Sequence, residues 1–549
     1  MNAPIPAIWT TGSTEIFKTG TWRAALPQHI HAPSPCHAAC PVNGDIAEWI
    51  GRARSRDFRG AWEILTRHNP FPAIAGRICH HPCEAACNRA GFDESLAICK
   101  LERFIGDLAL AEGWSFVPPA EKRSGHVAVV GGGPSGLSAA YQLRRRGYAA
   151  TLFESQPELG GLMRYGIPPY RLARSVLDGE IDRIIALGID VRCGVSLGAE
   201  SDFERLRGEF DALYVAVGAR RQKRLPQLDY TQQWVMDGAE YLARSNCGRK
   251  PALGRRVLVI GGGSAALDAA RSARRAGHEV TILALETRAQ MPAQREEVIE
   301  ALEEGIKLID GAMLTFSHEV GAGGLWLDCV RVRFEPGAQR GQFTVTPIAG
   351  SEFSLAADAI VPSIGQDPDL APLGSLAAEG KLLKVDSRQA TSVERVYAGG
   401  DVSSMARFVT EAIGMGKRAA FEIDRALGGG DAATDWREPE VPLAAISTFY
   451  HPKQPRAAEQ RLAAGKRIAS ELEVQLGFDL DVALAEAGRC FSCGTCIFCD
   501  NCVTYCPDLA VKRAADGPGY VVLTDYCKGC GLCVKECPTG SMKMVEEAK

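Results

Sequence analysis

Aromatic residues are scarce, at 7% of 549 positions, and no stretch approaches the roughly 18 consecutive apolar residues of a membrane-crossing helix. No membrane role is expected. Met1 to Trp22 mixes Thr, Glu, Lys and Pro and lacks a basic segment followed by an apolar run, so a chain without an export signal, soluble and cytoplasmic, is expected. An excess of positive charge is missing too: 62 Lys and Arg stand against 66 Asp and Glu, for a net charge of -4. With no basic stripe to neutralise phosphates, nucleic acid is not an expected partner.

The chain is rich instead in glycine and cysteine. Its length exceeds what one core usually serves, and 46% hydrophobic residues suffice to fill several. Of 19 Cys, six fall between Cys36 and Cys99 and ten between Cys490 and Cys537. Thiols grouped so tightly in a large intracellular enzyme read as metal ligands rather than disulfides. Cys193, Cys247 and Cys329 stand apart and are expected to be ordinary packed hydrophobes. Three blocks follow: a Cys- and His-bearing start to about residue 120, a Gly-rich middle to about 430, and a Cys-rich end. Linkers are expected at Pro118 to Ser124 and at Gly429 to Pro442. Leu462, Ile468, Leu472, Leu476 and Leu484 recur at mostly helical spacing, which predicts a helical tether before the last block.

The middle block opens twice in the same way, with His126 to Gly136 echoed by Arg256 to Ala266. In the first opening Gly131, Gly133 and Gly136 follow an apolar strand, Val127 to Val130, and precede a helix beginning at Pro134 and Ser135. The first glycine permits the tight turn, the second lets backbone approach a pyrophosphate, and the third lets helix and strand pack closely. Glu154, 23 residues after Gly131, is placed to accept hydrogen bonds from a ribose. The second opening uses Gly261, Gly263, Ser264, Ala265 and Ala266, with alanine in the third glycine's place. Glu286, 25 residues after Gly261, would bind adenosine ribose hydroxyls and repel a 2'-phosphate, which favours NAD over NADP. Arg288 nearby keeps phosphate binding open. Helical stretches followed by β-branched runs at 149–153 and 279–283 predict parallel, doubly wound sheets.

Gly160 to Pro168, Gln290 to Ala293 and Tyr397 to Asp401 resemble the small subunit of glutamate synthase, and the same module is similar to the N-terminal half of dihydropyrimidine dehydrogenase. The resemblance implies FAD at the first site and the nicotinamide nucleotide at the second. It also implies that Gly161, Arg164 and Ile167 lie by the FAD, that Asp401 with Gly400 holds its ribityl-pyrophosphate region, and that the helix entered near Val409 to Ala412 faces the flavin ring. Gly218 joins that cofactor-binding set, and Gly365 matches the return from the inserted nucleotide domain. Where NADP-using members carry Tyr-Arg-Arg, this chain has Ala284, Leu285 and Glu286, a departure that again favours NAD.

The expected architecture is multidomain α/β. It has an α-helical N-terminal iron-sulfur domain (1–120), two doubly wound Rossmann-like domains (FAD at 121–225 and 385–430, NAD at 226–384), a linker and tether (431–487) and a bacterial-type ferredoxin domain (488–549). In the last, Cys496, Cys499, Cys502 and Cys506-Pro507 and Cys527, Cys530, Cys533 and Cys537-Pro538 form the doubled ferredoxin pattern. The fourth Cys of each run is expected to serve the other cluster, which gives Cys496, Cys499, Cys502 and Cys537 to one 4Fe-4S cluster and Cys527, Cys530, Cys533 and Cys506 to its neighbour. Four ligands per zinc and the Cys-Pro endings fit zinc poorly. Cys490 and Cys493 are left over, able to tune, replace or extend the set. By resemblance Cys36, Cys40, Cys79, Cys83, Cys87 and Cys99 hold one or two further clusters. Two cysteines that full family members carry before Cys36 fall here at about Gln28 and His31, which favours one cluster. His37, His80 and His81 are expected beside the ligands rather than among them.

A nicotinamide gives up two electrons as hydride and a 4Fe-4S cluster accepts one, so a flavin between them completes a relay that needs no catalytic acid, base or nucleophile. No substrate domain is evident. An NAD(H)-dependent electron-transfer subunit is expected, with partner subunits like those of thiamine-dependent 2-oxoacid oxidoreductases. The alternatives are a stand-alone NADH:ferredoxin oxidoreductase, a glutamate synthase small subunit, or a non-catalytic electron-storage scaffold.

Overall fold

The computed structural model describes residues 18–20, 23–249, 251–320, 324–338, 341–430 and 438–547. The N-terminal region is helical, with helices Ile46–Arg54, Phe58–Thr66, Pro72–Ile78 and Ile98–Ala111. Their apolar faces meet in a core that includes Trp49, Ile50, Trp62, Leu101 and Ile105. Asp57 starts the second of these helices by accepting the Gly60 N–H, one of the donors a helix start leaves open. Helices Pro72–Ile78 and Ile98–Ala111 cross at near-backbone contact: a Cβ on Gly76 would fall 2.4 Å from the Arg103 Cα, and one on Gly106 2.2 Å from the Ala73 nitrogen. That approach sets Cys99 against the end of the first helix, where its thiol faces the Ala75 and Gly76 carbonyls at 3.4 and 3.3 Å.

The middle block forms two units. In the first, strands Val396–Ala398, Ala212–Val215, His126–Val130, Ala149–Glu154 and Asp190–Cys193 make a parallel sheet in that order. His126–Val130 is almost wholly apolar because both faces of the sheet are covered. In the second unit, Ala359–Pro362, Arg256–Ile260, Glu279–Leu283 and Lys307–Ile309 form a four-stranded parallel sheet. Beside it lies an antiparallel sheet of Ala312–Val320, Gly324–Pro336 and Phe343–Ala357 that the doubly wound reading did not include. One face of this meander is buried through Leu314, Leu325 and Leu327, while Phe316, Trp326 and Phe343 on its strands are exposed, so it packs as a half-buried antiparallel sheet.

Two short strands, Arg221–Gln222 and Gln366–Asp367, pair where the chain passes between the units. Leu373, Leu376 and Leu383 already pack with Phe203 and Leu213 of the first unit, so the return lies nearer Gln366 than the expected boundary at residue 384. Of the scattered thiols Cys329 is buried as expected; Cys193 and Cys247 are exposed, one on an edge strand and the other at the C-cap of helix Gly238–Asn246.

The predicted helical tether is helical only at Ala464–Ile468 and Leu480–Gly488. Between them Leu472 and Leu476 are exposed, and the segment is held by charge instead. Glu473 accepts from Arg77 Nε and Nη2 at 2.6 and 3.0 Å, from Arg103 Nη2 at 2.9 Å and from the Ala173 N–H at 3.0 Å. In the final block, short helices Asn501–Thr504 and Leu532–Lys535 accompany the hairpin Val511–Arg513/Tyr520–Val522. Strand Met542–Glu546 then pairs antiparallel with Ala25–His29, from Ala25 opposite Glu546 to His29 opposite Met542. Among the described residues no helix is long and apolar enough to cross a membrane.

Candidate functional site

At the first glycine turn the geometry demands glycine. Gly131 has φ +116, and a Cβ there would meet the Ala216 carbonyl oxygen at 2.3 Å; one on Gly136 would meet the Gly131 carbonyl oxygen at 1.9 Å. Gly133, by contrast, has nothing nearer than the Gly161 Cα at 3.9 Å, an open side at the N-terminus of helix Pro134–Arg145. Glu154 is buried at the end of its strand and accepts the Gly132 N–H at 2.8 Å and the Gln156 N–H at 2.7 Å. Gly161 is laid over this turn, its position for a Cβ 2.9 Å from the Gly133 Cα. From the far side Gly400 approaches Ser135, and helix Val409–Ala426 packs Gly416 onto the Ser135 carbonyl. Gly131, Gly133, Pro134, Ser135, Gly136, Glu154, Gly161 and Gly400, with the Ala412 turn, thus converge on one cradle whose open side fits a dinucleotide pyrophosphate.

Two further residues implied by resemblance make local contacts. Arg164 donates to the Leu159 carbonyl at 2.6 Å and pairs with Asp178, which braces the 159–167 loop, and Ile167 packs against the core of the first unit. Ser135 hydrogen-bonds the buried Tyr214 hydroxyl at 2.6 Å, a contact no motif signals.

The second turn repeats the first. Gly261 has φ +140 and sits against the Ser363 carbonyl, Ala266 is fully buried where its methyl fills the third-glycine position, and Gly263 faces open space. Glu286 is half-buried, and its Oε2 would stand 2.5 Å from a Cβ on Gly262, so its carboxylate hangs over the turn as Glu154 does over the first. Burial raises its carboxyl above the ordinary carboxylate range. Arg288 is exposed, and its backbone N–H is taken by Asp310 at 2.8 Å. Gly365, with φ +96, accepts the Lys223 N–H at the passage between the units.

The cysteines fall into sets. Cys496, Cys499, Cys502 and Cys537 line a single cavity, the crossed set expected from the ferredoxin pattern. Cys527 and Cys533 each lie near Cys506 and Cys530 and near one another. In the N-terminal region Cys83 lies near Cys40, Cys79 and Cys99, and Cys79 near Cys40 and Cys99. The Cys79 thiol also touches the Thr410 hydroxyl at 3.5 Å, and His80 stacks on Phe408 at 3.8 Å, so this set abuts the start of the helix that closes the first cradle. The Asp45 N–H donates to His37 Nδ1, and His81 gives only its backbone N–H to Cys79 sulfur, at 3.4 Å.

Among the described residues no three His, Cys, Asp or Glu side chains converge on a single-ion site. Zinc thiolates at about 2.3 Å from the metal would stand only ~3.8 Å apart. Rings of thiols around a cavity suit a multi-iron cluster instead.

Residues 125–416 match the model described as pyridine nucleotide-disulphide oxidoreductase. The chain belongs to that family. Residues 31–114 match the 4Fe-4S cluster domain II of dihydropyrimidine dehydrogenase, and residues 520–543 match a 4Fe-4S binding domain. The beta subunit of the NADP(+)-dependent formate dehydrogenase of Moorella thermoacetica is 35% identical over 511 residues, covering 86% of this chain and 72% of that protein. The NAD-dependent dihydropyrimidine dehydrogenase subunit PreT of Escherichia coli (strain K12) is 32% identical over 72% of this chain and 92% of its own length. The glutamate synthase [NADPH] small chain of Mycobacterium tuberculosis (strain CDC 1551 / Oshkosh) is 33% identical over 72% and 86%. This member of the family is thus an oxidoreductase of the flavin and iron-sulfur, NAD(P)-dependent electron-transfer subunit type, and the glutamate synthase likeness read from Gly160 to Pro168 holds.

Proposed function

We propose that this chain is the NAD(H)-side electron-transfer subunit of a multisubunit oxidoreductase. Hydride exchange at the flavin and one-electron exchange at the clusters are the chemistry the bound groups supply. The chain's own residues bind and orient. Glu154 and the helix start at Pro134 would hold the FAD ribose and pyrophosphate, and Glu286 with the start of helix Ser264–Arg275 would do the same for the nicotinamide nucleotide. Cys79, through Thr410, brings the first N-terminal cysteine set to the flavin side.

The observation that carries the choice of NAD is the half-buried Glu286 carboxylate at the Gly262 turn, where a 2'-phosphate would meet like charge. Its rival is NADP, supported by the NADP named for the Moorella relative. Anaerobic titration with NADH and with NADPH, following flavin bleaching, separates the two: reduction by NADPH and not NADH defeats the Glu286 reading, and reduction by neither supports the storage scaffold.

The partner we propose carries the substrate site. The doubled ferredoxin supports a 2-oxoacid oxidoreductase, whereas the relatives' names support formate dehydrogenase or dihydropyrimidine dehydrogenase subunits. Anaerobic co-purification from the native source, followed by assay with each substrate, decides among them.

A further inference from the structure

The sequence leaves Cys490 and Cys493 unassigned, and the structure leaves Cys36 and Cys87 outside the Cys40, Cys79, Cys83 and Cys99 set. The fold brings those four together. They line one cavity, closed by Ile46, Ile50 and Phe491, although about 400 residues of chain separate the two pairs. We propose that Cys36, Cys87, Cys490 and Cys493 jointly hold a 4Fe-4S cluster, a second N-terminal site completed by the C-terminal segment.

The ferredoxin portion of the same molecule supplies the standard of comparison. Its Cys496, Cys499, Cys502 and Cys537 cavity and the one here both hold four cysteines in largely apolar walls. The backbone agrees as well. In Cys496-x2-Cys499 the residues two and four after the first cysteine, Phe498 and Asp500, have φ +55 and +62; in Cys527-x2-Cys530 the corresponding Gly529 and Gly531 have φ +69 and +75. Cys490-x2-Cys493 repeats this with Ser492 at +52 and Gly494 at +73. In all three turns the residue two along donates its N–H to the first sulfur at 3.4 Å. A non-glycine residue held left-handed is costly, and here it aims an amide at a sulfur that would become anionic on ligation.

The remaining contacts suit thiolates too. The Ser34 hydroxyl lies 3.1 Å from Cys36 sulfur, and the Asn88 amide donates to Cys493 sulfur at 3.5 Å. Hydrogen bonds of this kind stabilise ligated sulfur and tune a cluster's potential.

The fold also explains why ligands come from so far along the chain. Gln28 and His31, where the two missing cysteines would stand, lie in and just past a strand that pairs with Met542–Glu546. That pairing continues as Ile30 N–H to the Ser541 carbonyl and Ala32 N–H to the Gly494 carbonyl, which lays the 490–494 turn beside Cys36. Cys87 is four residues from Cys83, and Cys493 three from Cys496, spans of at most about 14 and about 11 Å. The site therefore lies between the flavin-side cysteine set and the ferredoxin.

The test uses the full chain, prepared anaerobically, and does not depend on which nucleotide binds. Native mass spectrometry of the wild type is expected to show four clusters; three would overturn the assignment. The Cys490→Ser/Cys493→Ser variant is expected to lose about four iron and four sulfide per chain and one reduced-state EPR signal, with the ferredoxin signals retained. Cys36→Ser/Cys87→Ser must lose the same signal. Unchanged iron in either variant, loss of two different signals, or one zinc per chain at this site would overturn the proposal. A failed NADH titration would leave these counts untouched.

Discussion

Replacing Glu286 by Gln keeps the shape of the site and removes one charge. The carboxylate stands over the Gly262 turn, where burial disfavours its ionised form and ribose hydroxyls would offset that cost. Two ribose hydroxyls donating to it would contribute about 1.5 kcal/mol each, as hydrogen bonds to charged groups do. The amide keeps one carbonyl acceptor, so roughly half of that is lost, about tenfold in NADH affinity. For NADPH the sign reverses. A unit charge about 5 Å from the 2'-phosphate at an effective dielectric near 20 costs ~3 kcal/mol, and even a third to a half of that relieved is again about tenfold. The ratio of NADH to NADPH affinity should therefore shift about 100-fold, read by anaerobic titration of flavin absorbance in wild type and variant. A ratio unchanged within threefold would refute the role given to Glu286.

Gly136→Ala would drive a methyl into the Gly131 carbonyl at 1.9 Å, so the variant should be isolated with little flavin; full FAD content would show that the turn can yield. Glu473→Gln removes one of the carboxylates that bridge the nearly buried Arg77 and Arg103, while Asp107 still pairs with both and Glu459 with Arg103, so it should cost about 1.5–3 kcal/mol in urea unfolding; a loss under 1 kcal/mol would mean that the clamp is incidental. Burial pushes the Glu180 carboxyl from its ordinary value near 4.5 up to about 8, so the folded chain keeps a proton that the unfolded chain releases. Stability relative to Glu180→Gln should fall as pH rises from about 4.5 to 8, and a flat difference across that window would count against the shift.

The nucleotide turns were legible because their requirement is local. Gly136 and Glu154 owe their identities to contacts made within one strand-turn-helix-strand unit, and spacing alone reveals them. The crossed ferredoxin set was legible for a similar reason, since Cys537 reaches the Cys496 cavity through a short pseudo-repeat. Cys490 and Cys493 were not, because their neighbours Cys36 and Cys87 are supplied by a tertiary contact across most of the chain. The tether misled in the opposite direction. Leucines at helical spacing suggested an amphipathic helix, yet Glu473 is fixed by two arginines from another region, and that ion-pair geometry overrides the local pattern. The antiparallel meander hid behind the expectation that a second Rossmann opening continues as strand and helix.

The pairing of Ala25–His29 with Met542–Glu546 has a consequence for the order of assembly. During synthesis the early strand emerges with no partner, and its partner is made more than 500 residues later. Sheet closure therefore cannot precede synthesis of the later strand, and chains interrupted before residue 542 would carry an unpaired edge that invites aggregation or degradation. Synthesis as far as this strand is in effect inspected by the fold itself.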